Sequence, residues 1–406
     1  MLLDGYRDCS QQLYIQFLYR ILDIKKRFKV EEMYICFFSP TLFLTGGRYD
    51  KFRKLFLSEF KFQNGFIFNA SNFSYVSKRW EVAFSIWASG ETLDKHKFKF
   101  SIREIGTSGS IEEIGVKEVY NLTTEKRCNN WISGICKDKE VESLVLKSAL
   151  NYESDIIKKS ESTLAYFMND SNNVYANSQG VYILSCPVKR HIKTTPITKE
   201  NYEKCFSLFM ARRLIKSNWI NQKDEYAIPD TTDSRYTEWI GDSIIYSLFE
   251  VQSGQSSLRN IRINNKIYNV YNELFFMSNL EIEELADMHR NREVYEDCIQ
   301  HGGDRFIYNE IKKYNLSKEA KNVLVFAKEL ISESFEYRDE FNKRCPNYQI
   351  NCWDAGWYQV KGLLNMFLGE MLKSFEIVFD KLREKNIDLV YDLEFLNKNN
   401  SKLLQP

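Results

Sequence analysis

The sequence predicts an α/β protein, on three observations. Helical and strand-like runs alternate across residues 1–92, the strand-like runs there are continuously apolar, and after residue 199 helical periodicity takes over. Continuous apolar strands joined through helices describe a largely parallel sheet buried on both faces. Only three such strands are visible, too few to close a doubly wound core. With 406 residues, 44% hydrophobic and 27% charged, the chain has room for two or three domains and is neither disordered, collagenous nor a disulfide scaffold.

The first helix is expected over Ser10–Lys26, burying a stripe of Leu13, Phe17, Ile21 and Ile24. Ser10 is its expected N-cap, and Lys25, Lys26 and Arg27 crowd the end where the helix dipole favours cations. Met33–Phe38, an unbroken apolar run stopped by Ser39-Pro40, reads as a strand buried on both faces. Gly46-Gly47 marks a turn, Tyr49–Phe60 repeats a helical stripe, and Gly65–Asn69 and Val82–Trp87 read as two further strands. Residues 93–198 are polar and weakly periodic, a mixed connector with one clear strand at Gly180–Leu184. Residues 199–395 are mainly helical, with helices expected at Tyr202–Trp219, Ser234–Glu250, Leu280–Ile299, Ser317–Arg338 and Gln359–Glu384. Residues 396–406, around Asn397–Ser401, are expected to form a flexible tail.

Several chemistries are missing. No Gly precedes a Lys, so there is no P-loop, and neither Gly-x-Gly-x-x-Gly nor Gly-x-Ser-x-Gly occurs. The nine cysteines form no CxxC pair and read as reduced thiols. Charges stand where a signal peptide needs its apolar region, and no apolar run approaches the roughly 20 residues of a membrane span. The expectation is a soluble, cytoplasmic protein with no membrane partner and no metal site. His96, His191, His289 and His301 each sit among charges and read as solvated; Gly106–Gly109 and His301–Asp304 read as turns. Glu319-Ala-Lys321 has nuclease-like spacing but falls in a first helical turn, where an acid serves the dipole. Asp224-Glu225-Tyr226 reads as a solvated loop before Pro229.

Charge distribution is more informative than the net charge of +1. Residues 181–220 hold eight basic side chains (Lys189, Arg190, Lys193, Lys199, Lys204, Arg212, Arg213, Lys216) against Glu200 and Glu203, a local +6. That is the footprint of a phosphate-contacting surface, or equally of a solvated face paired with the acidic stretch 281–300. Arg259 and Arg262, with Asn260, Asn264 and Asn265, add groups suited to base edges. The DNA-binding candidates are therefore Lys189, Arg190, Lys193, Arg212, Arg213, Lys216, Arg259 and Arg262.

Ser10–Arg20, Phe38–Gly47, Phe66–Phe73 and Trp80–Trp87 resemble the later part of the catalytic lobe of adenine-N6 DNA methyltransferases of restriction-modification type. Phe209–Ile215, Trp219–Tyr226 and Trp353–Gln359 are similar, more loosely, to their C-terminal region. The resemblance implies an incomplete Rossmann-like lobe whose strands stand for the fifth, sixth and seventh of a seven-stranded sheet, followed by a helical target-recognition region. In that family the first helix here follows an Asn/Asp-Pro-Pro-Tyr loop that positions the adenine amino group, and a Gly-rich turn holds S-adenosylmethionine. The six prolines here are all isolated, so the loop is absent, and so is the turn.

The resemblance places Phe73 against the flipped adenine, with Tyr75 and Trp80 as neighbours in a base pocket; the competing reading makes Phe73 one of 29 core phenylalanines. No residue is assigned as catalytic. The chain is expected to bind double-stranded DNA, not to hold S-adenosylmethionine or methylate on its own, and to pair the open edge of Met33–Phe38 with a separately encoded N-terminal half. The alternative is a non-catalytic DNA-binding or protein-interaction module derived from such an enzyme.

Overall fold

The computed structural model describes residues 5–73, 75, 80–133, 138–145, 155–188 and 194–403. It is a mixed α/β protein. Helix α1 (Leu13–Arg27) leads into β1 (Tyr34–Ser39), the single-turn α2 (Leu42–Thr45) and α3 (Asp50–Glu59). Strands β2 (Phe60–Asn69), β3 (Glu81–Ser89), β4 (Lys97–Ile105) and β5 (Ile111–Tyr120) follow, and with β1 they form one sheet in the order β1-β3-β2-β4-β5.

That sheet is mostly antiparallel, not largely parallel. β3 runs antiparallel to both β1 and β2, β4 and β5 form an antiparallel hairpin, and only the short contact at Phe66–Ile67 of β2 with Ser101–Ile102 of β4 is parallel. The reason lies in the connection from β2 to β3. Only eleven residues, 70–80, join them, fewer than the dozen or more that a parallel crossover takes. The sheet also continues past residue 92, so the expected boundary there falls between two strands of one sheet.

One face of the sheet is covered. Ile15, Leu18 and Leu22 of α1 and Phe52 and Phe56 of α3 pack on Ile35, Ile67, Ala83 and Trp87 as one buried cluster. Two expectations about this region are overturned. In α1 the buried side chains are Ile15, Leu18 and Leu22, while Leu13 and Phe17 are 64% and 53% exposed: the helix carries two apolar faces, and the more regular one points outward. Along β1, Ile35 and Ser39 are buried but Tyr34, Cys36 and Phe38 are exposed, so this strand is covered on one face only. Helix α1 starts at Leu13 behind Gln12, and Ser10 donates instead to the Arg7 carbonyl (2.8 Å).

After α4 (Cys128–Trp131), the strands β6 (Glu140–Leu144) and β7 (Ile156–Ser160) form a two-stranded ribbon. β8 (Thr163–Asn169), β9 (Val181–Leu184) and β10 (Thr194–Thr198) enter a second sheet that also takes β11 (Ser253–Gly254), in the order β10-β8-β9-β11. Between them in sequence lie α5 (Tyr202–Leu214) and α6 (Tyr236–Phe249), apolar on nearly every side and accordingly buried all round. A hairpin of β12 (Leu258–Ile263) and β13 (Lys266–Val270) precedes α7 (Asn279–Met288), α8 (Arg292–Gln300), α9 (Phe306–Ile311), α10 (Lys318–Arg344), α11 (Trp357–Phe367) and α12 (Gly369–Asp392). The single helices expected at Leu280–Ile299 and Gln359–Glu384 are thus each two. Breaks fall at His289–Asn291, where Arg290 has φ 55°, and at Leu368. These helices and the second sheet share one large core.

The expected flexible tail is docked. Leu396 is buried, Asn397 donates to the Glu118 carboxylate (2.7 Å), and Asn400 exchanges two hydrogen bonds of 3.0 Å with the Glu118 backbone.

Candidate functional site

β1 and β2 point the same way, and their carboxyl ends deliver Ser39-Pro40-Thr41 and Asn69–Phe73 to one end of the sheet. The loop leaving β2 is pinned at both ends. The Ala70 amide donates to the Trp80 carbonyl (2.9 Å), and the Asn69 side chain accepts from the Ser71 amide (3.0 Å) and hydroxyl (2.9 Å). Between these pins Phe73 is 72% exposed, Tyr75 fully exposed and Trp80 56% exposed. Phe73 is not a core residue. Its ring meets Phe68 edge-on at 4.9 Å and continues a row of aromatic rings, Phe68, Phe66, Phe84 and Phe38, across the other face of the sheet.

The same end of the sheet is fastened to the helical region by buried charges. Lys117 of β5, 1% exposed, lies 2.8 Å from Asp224 and 3.9 Å from Glu81 and donates to the Ile220 carbonyl; Thr41 donates to Glu81. Burial pushes the Asp224 carboxyl up to about 6, with Glu81 adding repulsion against the pull of Lys117. Burial works against the Lys117 ammonium, but two carboxylates face it and hold its pKa above the ordinary value. Alongside, Arg127 pairs with Glu225 (2.9 Å) and lies 3.7 Å from Asp50, which also binds Arg53. A β-carbon at Gly47 would sit 2.5 Å from Arg127 Nη1, so any side chain here must push that guanidinium aside. The Asp224-Glu225-Tyr226 segment is therefore not a solvated loop: all three residues are buried, and the cations they hold are the protein's own.

The proposed DNA contacts divide. Lys189, Arg190 and Lys193 lie outside the described residues. Arg212 is wholly buried in a cage of oxygens: it donates to Asn177 Oδ1 (3.0 Å), to Asn169, and to the carbonyls of Ser171 (2.7 Å) and Asn173 (3.0 Å). Burial pulls its pKa down to about 10. Arg259 is buried too, paired with Asp354 (2.7 Å) and Asp297 (3.0 Å). Neither reaches solvent, so both are corrected to structural residues. Arg213 is half-buried and donates to the Asn177 carbonyl (2.6 Å); Lys216 and Arg262 are exposed.

No known protein family, curated protein or solved structure matches this chain. Among the described residues no group of three or more His, Cys, Asp or Glu side chains is placed to hold a metal ion, and no helix is long and apolar enough to cross a membrane.

Sequence reasoning expected the open edge at Met33–Phe38 but missed the groove beside it. β1 is an edge strand, and a groove of about 280 Å³ runs between it and the outer face of α1, lined by Ile21, Ile24, Met33, Tyr34 and Phe37. A signal for it was present. Leu13–Arg27 holds two apolar sets, Leu13/Phe17/Ile21/Ile24 and Ile15/Leu18/Leu22, too many for a helix with one buried face.

Proposed function

We propose that this chain is the distal part of an adenine-N6 DNA methyltransferase of restriction-modification type. It supplies a base-pocket wall and a DNA-contacting helical region to a second polypeptide that carries the cofactor site and the Asn/Asp-Pro-Pro-Tyr loop. The reading is carried by the unpartnered side of the first sheet. If β1, β2 and β3 stand for the fifth, sixth and seventh strands of a seven-stranded sheet, β1 must present a free edge, and α1 and the outer sheet face must present apolar surface to absent strands and helices. Here β1 is an edge strand, Leu13 and Phe17 are exposed, and the aromatic row is exposed at Phe38 and Phe73 and half-buried between them.

Phe73, Tyr75 and Trp80 offer π-faces beyond the carboxyl end of β2, and a flipped base is held by stacking on such faces. S-adenosylmethionine, the methyl donor of the complete enzyme, is assigned to the partner, because the sequence holds no Gly-x-Gly-x-x-Gly turn for close backbone approach to it. The exposed surface equally supports a second reading, a DNA-binding or protein-interaction module without catalytic partner. The test is methyl transfer from tritiated S-adenosylmethionine to duplex DNA, by the purified chain alone and together with the polypeptide encoded immediately upstream. Partner-dependent labelling at adenine N6 is expected. Labelling by the chain alone overturns the split reading, and DNA binding with no labelling in either arm favours the module.

A further inference from the structure

We propose that the β12–β13 hairpin is the element that reads base edges in the DNA major groove. Arg262, Asn264 and Asn265 are its contacting side chains and Arg259 is its anchor; the inference rests on the DNA-binding reading above. The hairpin turns at Asn264-Asn265, both left-handed (φ 49° and 63°), the geometry that a tight two-residue turn between twisted strands demands and that asparagine tolerates. Register then sorts the side chains. Ile261 opposes Tyr268 and Ile263 opposes Lys266 on one face, while Arg262 opposes Ile267 on the other.

The first face is engaged, since Lys266 Nζ and Tyr268 Oη each lie 3.2 Å from Glu142 of the β6–β7 ribbon. The second face is open. Arg262 is exposed and makes no ion pair among the described residues, and Ile267 beside it is 57% exposed.

At the base the hairpin is held by a buried polar network. Arg259 is clasped by Asp354 and Asp297, donates to the Val270 carbonyl (2.9 Å) and lies over the Tyr271 ring (4.6 Å). Arg305 binds the second oxygen of Asp354 (2.8 Å), and Gln359 bridges the Ser257 amide (2.8 Å) and carbonyl (2.9 Å). A rigid base under an open, polar tip is what precise presentation of side chains requires.

Charge and size fit a duplex. Leu258–Val270 contains Arg259, Arg262 and Lys266 and no acid. Arg259 and Lys266 are neutralised within the protein, which leaves Arg262 and the amides facing out. Two strands about 4.8 Å apart enter a major groove about 12 Å wide, where arginine pairs with guanine O6/N7 and asparagine with adenine N6/N7.

The test uses the full chain together with its upstream-encoded partner. Duplexes are selected from a random pool by the parent protein, and anisotropy then compares selected with scrambled DNA across a salt series. Arg262→Ala, and the turn variant Asn264→Gly/Asn265→Gly, which keeps the left-handed turn, are expected to lose about 10- to 100-fold of the preference for selected DNA. Binding to scrambled DNA should stay within about twofold, and the salt slope should change by no more than about one unit. Arg259→Met is expected to lose the same preference while raising amide exchange in the hairpin, the sign of a positioning role. Retained preference in all three variants overturns the hairpin assignment and leaves DNA binding standing. A parent protein that binds no DNA at all refutes both.

Discussion

Lys117→Met tests the buried latch between the first sheet and the helical region. Methionine keeps the length of the side chain and removes its charge, leaving the Asp224 and Glu81 carboxylates buried with no cation between them. Deleting one partner of a buried pair costs about 3–5 kcal/mol. The lower end applies, because proton uptake relieves the repulsion as the solution is acidified. Asp224 sits at about 6 in the folded protein against an ordinary 3.8, so the folded form binds the proton more tightly. Stability from this group is therefore gained as pH falls from about 6 to about 4 and is absent above. That is the parent's own pH dependence, worth roughly 3 kcal/mol at ~1.4 kcal/mol per pH unit; Lys117→Met removes the pull that lowers the Asp224 pKa, so the variant takes up the proton at a higher pH than the parent and recovers stability sooner on acidification. Urea unfolding followed by tryptophan fluorescence should show a loss of about 3 kcal/mol at about pH 7.5 and a smaller loss near pH 5, with faster amide exchange across residues 216–226. The neutral combination Glu81→Gln/Lys117→Met/Asp224→Asn should recover most of the loss. A Lys117→Met protein within ~1 kcal/mol of the parent at the higher pH, with unchanged exchange, would refute the latch.

Gly47→Ala places a β-carbon 2.5 Å from Arg127 Nη1 and should cost about 1–3 kcal/mol, read as a lower unfolding midpoint; no change would mean that the guanidinium moves aside freely. Arg212→Met strips the donors from a buried cage of oxygens and should destabilise by about 3 kcal/mol or more, so any DNA-binding loss must parallel loss of folded protein on a thermal melt. Leu13→Lys/Phe17→Lys should leave the melting curve within about 0.5 kcal/mol of the parent while lowering dye binding and light scattering; a core-sized loss would place those side chains inside.

How far the sequence could be read depended on which physical signal each residue emits. The runs at Met33–Phe38 and Val82–Trp87 were legible as strands from their continuous apolarity, which in β1 did not mean burial on both faces. Nor does apolarity report direction, and the sheet's antiparallel pairing follows from the shortness of the connection 70–80. The stripe in α1 was found at the right period and assigned to the wrong side, since periodicity shows that a face is apolar and not what covers it. Counting cations along residues 181–220 could not separate Lys216, in solvent, from Arg212, inside a helix whose neighbours Phe209, Met210 and Ala211 are all buried. Phe73, Tyr75 and Trp80 were placed together by the resemblance, and the structure shows of them that all three are exposed. The Lys117–Asp224–Glu81 cluster joins residues far apart in sequence, and no local pattern announces such a meeting.

The clasp on Glu118 has a consequence for how the protein is made. A ribosome releases β5 long before it reaches Asn397 and Asn400, yet those two asparagines satisfy the Glu118 carboxylate and backbone. Folding during synthesis proceeds from the amino end, so the first sheet must wait, its far strand unsecured, until residues 397–400 have been translated. A nascent chain stalled before residue 397 would expose β5 to chaperones and proteases. Vectorial synthesis thus makes a segment more than 270 residues downstream of β5 the one that seals the first sheet.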